Sequence, residues 1–134
     1  MNLISNLKEM SFLIYGLGLT GQSVAKFFRR NNISNFKVWD DKNKNLYKKK
    51  RSTNLNQTFV NADFIVLSPG VSLNISKHKK LLKKFEYKII TDIDLLYLFN
   101  NNFKSIVVTG TNGKSTTCKL INHLLKKNKF KTLM

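Results

Sequence analysis

A chain of 134 residues has room for one ordinary domain, and a composition 42% hydrophobic with ten Phe packs a core and excludes a disordered tail. Lys8 and Glu9 interrupt the N-terminus, no apolar run reaches membrane-spanning length, and Cys118 is the single cysteine, which excludes an internal disulfide or a site built on several thiolates; a cytoplasmic protein without membrane contact is expected. The net charge of +17 extends well beyond two Lys-rich stretches, 42–51 and 77–88, and reads as a solvated basic surface, with nucleic-acid binding as a rival.

Phe12–Tyr15 is a short apolar run ending at Gly16 and predicts a buried strand. From Thr20 the period changes: Val24, Phe27 and Phe28 share a helical face, with Lys26, Arg29 and Arg30 outward. Phe36–Trp39 predicts a second strand, Asp41–Gln57 a polar surface loop with at most one helical turn, and Phe64–Leu67 a third strand. A helix over Lys77–Lys84, a strand over Tyr87–Ile90 and a short helix over Asp92–Phe99 follow. Ser105–Val108 predicts a strand running into Gly110, and Lys114–Lys127 a helix with Leu120, Ile121, Leu124 and Leu125 on one face. This alternation implies an α/β fold with a largely parallel sheet, right-handed crossovers, and ligands at the carboxyl ends of the strands.

All six glycines and the one proline fall into three loops, each after a predicted strand. Gly16-Leu17-Gly18-Leu19-Thr20-Gly21 fits G-x-G-x-x-G between strand and helix, where glycines allow a tight turn and a close approach of phosphate to backbone N–H groups. Asp40 closes the second strand, positioned to accept hydrogen bonds from a ribose or a base. Ser68-Pro69-Gly70 is a sharp turn aimed at the same crevice. Gly110-Thr111-Asn112-Gly113-Lys114-Ser115-Thr116 departs from the strict Walker A spacing, since Val108 stands where its first glycine belongs, yet it supplies glycines, a lysine for terminal phosphates and a hydroxyl for Mg²⁺ ahead of a helix. Cys118 reads as a packing residue, and His78 and His123 lack metal-spaced partners, so both read as surface or core.

In order and spacing, GLGLTG, Asp40, SPG, DIDLL at Asp92–Leu96 and VTGTNGKST at Val108–Thr116 resemble the Mur ligases of peptidoglycan synthesis, and among them the D-glutamate-adding members. The resemblance implies a Rossmann-like UDP-sugar-binding domain over residues 1–92, followed by the truncated start, 93–134, of a P-loop ATPase-type α/β domain. It implies a nucleotide-sugar site of Gly18, Leu19, Thr20, Gly21, Asp40, Asp41, Lys42, Ser68, Pro69 and Gly70. Asp41 and Lys42 depart from the Thr and Arg common in the family, and Thr91 stands at a position that is usually Gly. It further implies an ATP site over Gly110, Thr111, Asn112, Gly113, Lys114, Ser115 and Thr116, with Lys114 catalytic and Ser115 on Mg²⁺.

The implied reaction is ATP-dependent amide formation between UDP-N-acetylmuramoyl-L-alanine and D-glutamate, by a monomer. The family's remaining catalytic parts lie downstream of the ATP loop, so this chain alone is expected to be inactive. A nicotinamide-dependent oxidoreductase is the rival reading of the first loop, because G-x-G-x-x-G with Asp40 also suits an NAD ribose.

Overall fold

The computed structural model describes residues 7–99 and 104–132 and divides the chain into two compact units, residues 1–101 and 102–134. In the first unit, strands β1 (Phe12–Tyr15), β2 (Phe36–Trp39), β3 (Phe64–Leu67) and β4 (Ile89–Ile90) form one sheet in the order β2-β1-β3-β4. Every pairing is parallel, with Tyr15 level with both Trp39 and Leu67 at the carboxyl edge. β1 is central and buried along its whole length, which is why FLIY lacks the alternation of a half-exposed strand.

Two cores cover the two faces. On one, Phe12, Ile14, Phe36, Val38 and Val66 pack against Val24, Ala25 and Phe28 of helix α1 (Leu19–Arg30). Phe28 touches both Phe12 and Phe36, with ring centroids 4.7 and 5.5 Å away. On the other, Leu13, Tyr15 and Ile65 meet Leu55 and Phe59 of helix α2 (Leu55–Asn61) and Leu82 of helix α3 (Lys79–Lys84). Helix α4 (Asp92–Phe99) belongs to this unit, since its Leu95 is buried in the first core. Thr91 starts α4 as a reciprocal cap: its N–H and hydroxyl donate to Asp94 Oδ2 at 2.7 and 2.8 Å, and the Asp94 N–H donates back to its Oγ1 at 3.2 Å.

Three sequence expectations are corrected. Helix α2 begins at Leu55, inside the stretch read as a loop, and runs past its end to Asn61: only Leu55 and Phe59, one helical turn apart, are buried, so the periodic signal is two residues long. The Asn54 side chain starts it by accepting from Gln57 N at 3.1 Å. The strand expected over Tyr87–Ile90 shrinks to Ile89–Ile90, because Glu86–Lys88 forms a 3₁₀ turn. Ser105–Val108 forms no strand, and residues 104–110 run without regular structure. Ile106 and Val107 are largely exposed, whereas an apolar strand is stable only with both a neighbour and a covered face.

Within the second unit, α5 (Lys114–Lys127) is the helix among the described residues, closed by Lys126 and Lys127 in its last turn. Its Ile121 and Leu125 are half-buried, while Leu120 and Leu124 are exposed.

Candidate nucleotide site

β1 and β3 lie side by side while the chain leaves them toward opposite faces, through α1 and α3 respectively. Such a switch point opens a crevice at the carboxyl edge, where α/β sheets bind ligands. The glycine loop and the Ser68-Pro69-Gly70 turn both end there, and they are bonded to each other. Ser68 N donates to Tyr15 O at 3.0 Å and Ser68 Oγ to Gly16 O at 2.8 Å.

The glycines have separate tasks. Gly16 has φ +96°, and a Cβ on it would lie 2.8 Å from both Ser68 Cβ and Val71 Cγ2; one on Gly21 would lie 1.8 Å from Gly16 O. Both are packing positions. Gly18 and Gly70 instead have nothing within 4 Å of the place a Cβ would take. They face open space, and Gly18 starts α1 with no side chain capping its first turn. Exposed glycine beside an uncapped helix N-terminus is an arrangement that receives phosphate. Along the loop, Leu17 is buried as the anchor, whereas Leu19 is 89% exposed and Thr20 half-buried.

Asp40 is 8% exposed and accepts three backbone N–H bonds, from Leu17 at 2.5 Å, Lys42 at 2.8 Å and Asn43 at 2.6 Å. Burial works to raise its pKa, but the Asn43, Leu17 and Lys42 amides outweigh it and hold the carboxyl below the ordinary aspartate range. The carboxylate thus ties the glycine loop to the turn after β2. Asp41 turns to a different set of partners: Trp39 Nε1 donates to Oδ1 at 3.1 Å and the Tyr15 hydroxyl to Oδ2 at 3.3 Å. Lys42, Pro69 and Gly70 are exposed. Arg51 braces the same turn, with its guanidinium 4.8 Å from the Trp39 ring centroid and Nη2 donating to Asp40 O at 2.9 Å.

Sequence reasoning missed Tyr15, Trp39, Ser76 and His78, which gather beside Asp41. The only available signal was that Tyr15 and Trp39 end their strands, which puts them at the edge where the loops meet. A groove of about 260 Å³ at the opposite, amino edge, lined by Ser11, Asn35, Lys37 and Gln57 among others, contains none of the expected contacts.

In the second unit, Gly110 and Gly113 have φ +148° and +77°, and Gly113 starts α5 without a side-chain cap. Lys114 Nζ folds back to donate to Gly110 O at 2.5 Å and Thr111 O at 3.2 Å. Glycines with positive φ, an uncapped helix start and a lysine over the loop fit a polyphosphate. For Mg²⁺ the local donor set is the exposed Ser115 hydroxyl; no cluster of three or more His, Cys, Asp or Glu exists among the described residues.

The first unit is therefore a Rossmann-like α/β module with an all-parallel sheet, and its crevice lies between β1 and β3. Residues 10–90 match the family model described as Mur ligase MurD-like, N-terminal domain, and the chain belongs to that family. It is similar to proteins named UDP-N-acetylmuramoylalanine--D-glutamate ligase. That of Rickettsia prowazekii (strain Madrid E) is 39% identical over 128 residues, 90% of this chain and 28% of the relative. That of Rickettsia conorii is 41% identical over 119 residues, 84% of this chain and 23% of the relative. That of Francisella philomiragia is 34% identical over 131 residues, 96% of this chain and 29% of the relative. The chain thus spans between about a quarter and three tenths of these relatives' length. No helix among the described residues is long and apolar enough to cross a membrane.

Proposed function

We propose that this chain is part of an ATP-dependent ligase that joins D-glutamate to UDP-N-acetylmuramoyl-L-alanine, and that its first unit holds the UDP end of the nucleotide sugar. The observation that carries this reading is the pairing of Gly18 and Gly70, both open, with the uncapped start of α1 in a domain of the MurD-like family. The diphosphate lies against Gly18–Gly21, where amides and helix dipole favour negative charge. The uridine lies toward the Asp40–Lys42 turn, and Ser68–Gly70 closes the other side.

The ATP-binding part begins beyond helix α4, which packs into the first unit. ATP supplies the phosphoryl group that activates the alanyl carboxylate for attack by the D-glutamate amine. Lys114 stabilises charge on that group, the amides of Gly110–Thr116 cradle the phosphates, and Ser115 offers its hydroxyl to Mg²⁺.

Titration calorimetry of the 134-residue chain with UDP and with NAD tests the first half. UDP binding the more tightly is expected; NAD binding the more tightly would make the crevice a nicotinamide site. Phosphate release from ATP, given the two substrates, tests the second half. None is expected from this chain, in which no carboxylate side chain follows Asp94 to serve a metal ion.

A further inference from the structure

Three side chains from two loops converge on the Tyr15 hydroxyl. It contacts His78 Nδ1 at 2.8 Å, Ser76 Oγ at 3.1 Å and Asp41 Oδ2 at 3.3 Å. His78 Nδ1 also lies 3.6 Å from Asp41 Oδ1, and the Trp39 ring stands edge-on to the His78 ring with centroids 5.5 Å apart. The Tyr15 ring itself is buried, with Phe59 in edge contact at 6.0 Å, so its hydroxyl is held in place from below. Burial, chiefly, pushes its pKa up to about 12, and it remains a neutral donor.

We propose that Tyr15, Asp41 and His78 form a latch that fastens the segment after Gly70 to the turn after β2, and that by fixing these two walls they act as positioning residues for nucleotide affinity. This rests on the nucleotide reading above. Residues 71–78 form no helix or strand and leave directly from the Ser68–Gly70 turn. Their side-chain bonds to the rest of the sheet edge pass through Ser76 and His78 to Tyr15 and Asp41. Asp41 is the shared member, because its backbone adjoins Asp40 while its carboxylate is committed to Tyr15, Trp39 and His78. The latch therefore orders an otherwise irregular wall before ligand arrives, lowering the entropy lost on binding.

The test uses the 134-residue chain, whose one tryptophan, Trp39, sits inside the latch and reports on it by fluorescence. Tyr15→Phe removes the hydroxyl and keeps the ring. It is expected to weaken UDP binding about tenfold, the scale of one well-made hydrogen bond, and to shift Trp39 emission. His78→Ala is expected to do the same and His78→Gln to restore most of the affinity, while the Tyr15→Phe/His78→Ala double variant is no weaker than either single one. UDP affinity within twofold of wild type in Tyr15→Phe, or full additivity in the double variant, would overturn the latch while leaving the UDP site intact. A wild-type chain that fails to bind UDP overturns the nucleotide reading, and the proposed effect of the latch on affinity with it.

Discussion

Ser68 and Gly16 are locked together in two ways: the Ser68 hydroxyl donates to the Gly16 carbonyl at 2.8 Å, and any side chain on Gly16 would press into the Ser68 Cβ. The glycine loop is therefore held by the Ser68–Gly70 turn, and neither can move alone. Ser68 N donates to Tyr15 O at the end of β1, and Gly16 N donates to Trp39 O at the end of β2 at 2.8 Å.

Substituting the three loop glycines by alanine separates packing from binding. Gly21→Ala meets a carbonyl oxygen and Gly16→Ala adds a left-handed φ to its clash, so each is expected to cost about 2–4 kcal/mol in urea unfolding. Gly18→Ala, at φ −67° with open space ahead, should unfold like wild type and lose UDP affinity. Comparable instability in all three would remove Gly18 from the ligand surface.

Asp40 makes the fold acid-sensitive. Its folded pKa lies below the ordinary value, so the stability it contributes is complete above the unfolded-state pKa and disappears as pH falls through the folded one. Asp63, held down by the Ser11 N–H and hydroxyl, and Asp94, held down by Thr91, add to the same acid limb. Asp40→Asn should lower stability at pH 7 by about 2–3 kcal/mol and flatten part of the fall measured as pH drops below about 4. An unchanged acid limb would mean that the three amide bonds to Asp40 do not govern it.

At the alkaline end Tyr15 has the opposite shift. With a folded pKa raised to about 12, chiefly by burial, it favours the fold fully below the unfolded value near 10 and loses that advantage as pH rises between the two. An absorbance titration near 295 nm should show one of the four tyrosines ionising late, and Tyr15→Phe should abolish that phase. A titration that Tyr15→Phe leaves without loss of a late phase would mean that the hydroxyl is open to water.

Lys88 closes α2 from a distant part of the chain. Its ammonium donates to Val60 O at 2.8 Å and Ala62 O at 2.7 Å and approaches Phe59 O at 3.4 Å, the carbonyls a helix end leaves unpaired. Lys88→Met should cost about 1–2 kcal/mol, with the loss concentrated in hydrogen-exchange protection of Leu55–Asn61. Full retention of that protection would assign the helix end to water instead.

The limits of β1 and β3 were legible because each is an apolar run of four residues flanked by polar or glycine positions, those of β2 because Phe36 and Val38 alternate with the exposed Lys37, and α5 because Leu120, Ile121, Leu124 and Leu125 recur at helical spacing. Helix α2 was hidden by its single buried pair, although a crossover from β2 past β1 to β3 calls for a helix there. Ser105–Val108 failed for the converse reason, since apolar residues predict a strand only when a neighbour exists. At the site, the glycine pattern pointed to the loops but could not tell Gly16 and Gly21, which pack, from Gly18 and Gly70, which do not; that distinction depends on Ser68, some fifty residues away in sequence. The Tyr15 cluster was invisible because its members are spread from residue 15 to residue 78 and meet only through the register of the sheet.

On the ATP reading proposed above, the inward fold of Lys114 makes phosphate capture an exchange of partners. Its ammonium already lies over the Gly110 and Thr111 carbonyls, so an arriving phosphate oxygen replaces a neutral dipole with a full negative charge and rigidifies little that was free. A lysine that waved in solvent would lose up to about 2 kcal/mol of rotamer freedom at that moment. On the same reading, part of that loss is taken before ligand arrives, and the loop is expected to discriminate by charge density: a ligand with one weakly basic oxygen gains little over the carbonyls it displaces, whereas a polyphosphate tail gains at each contact.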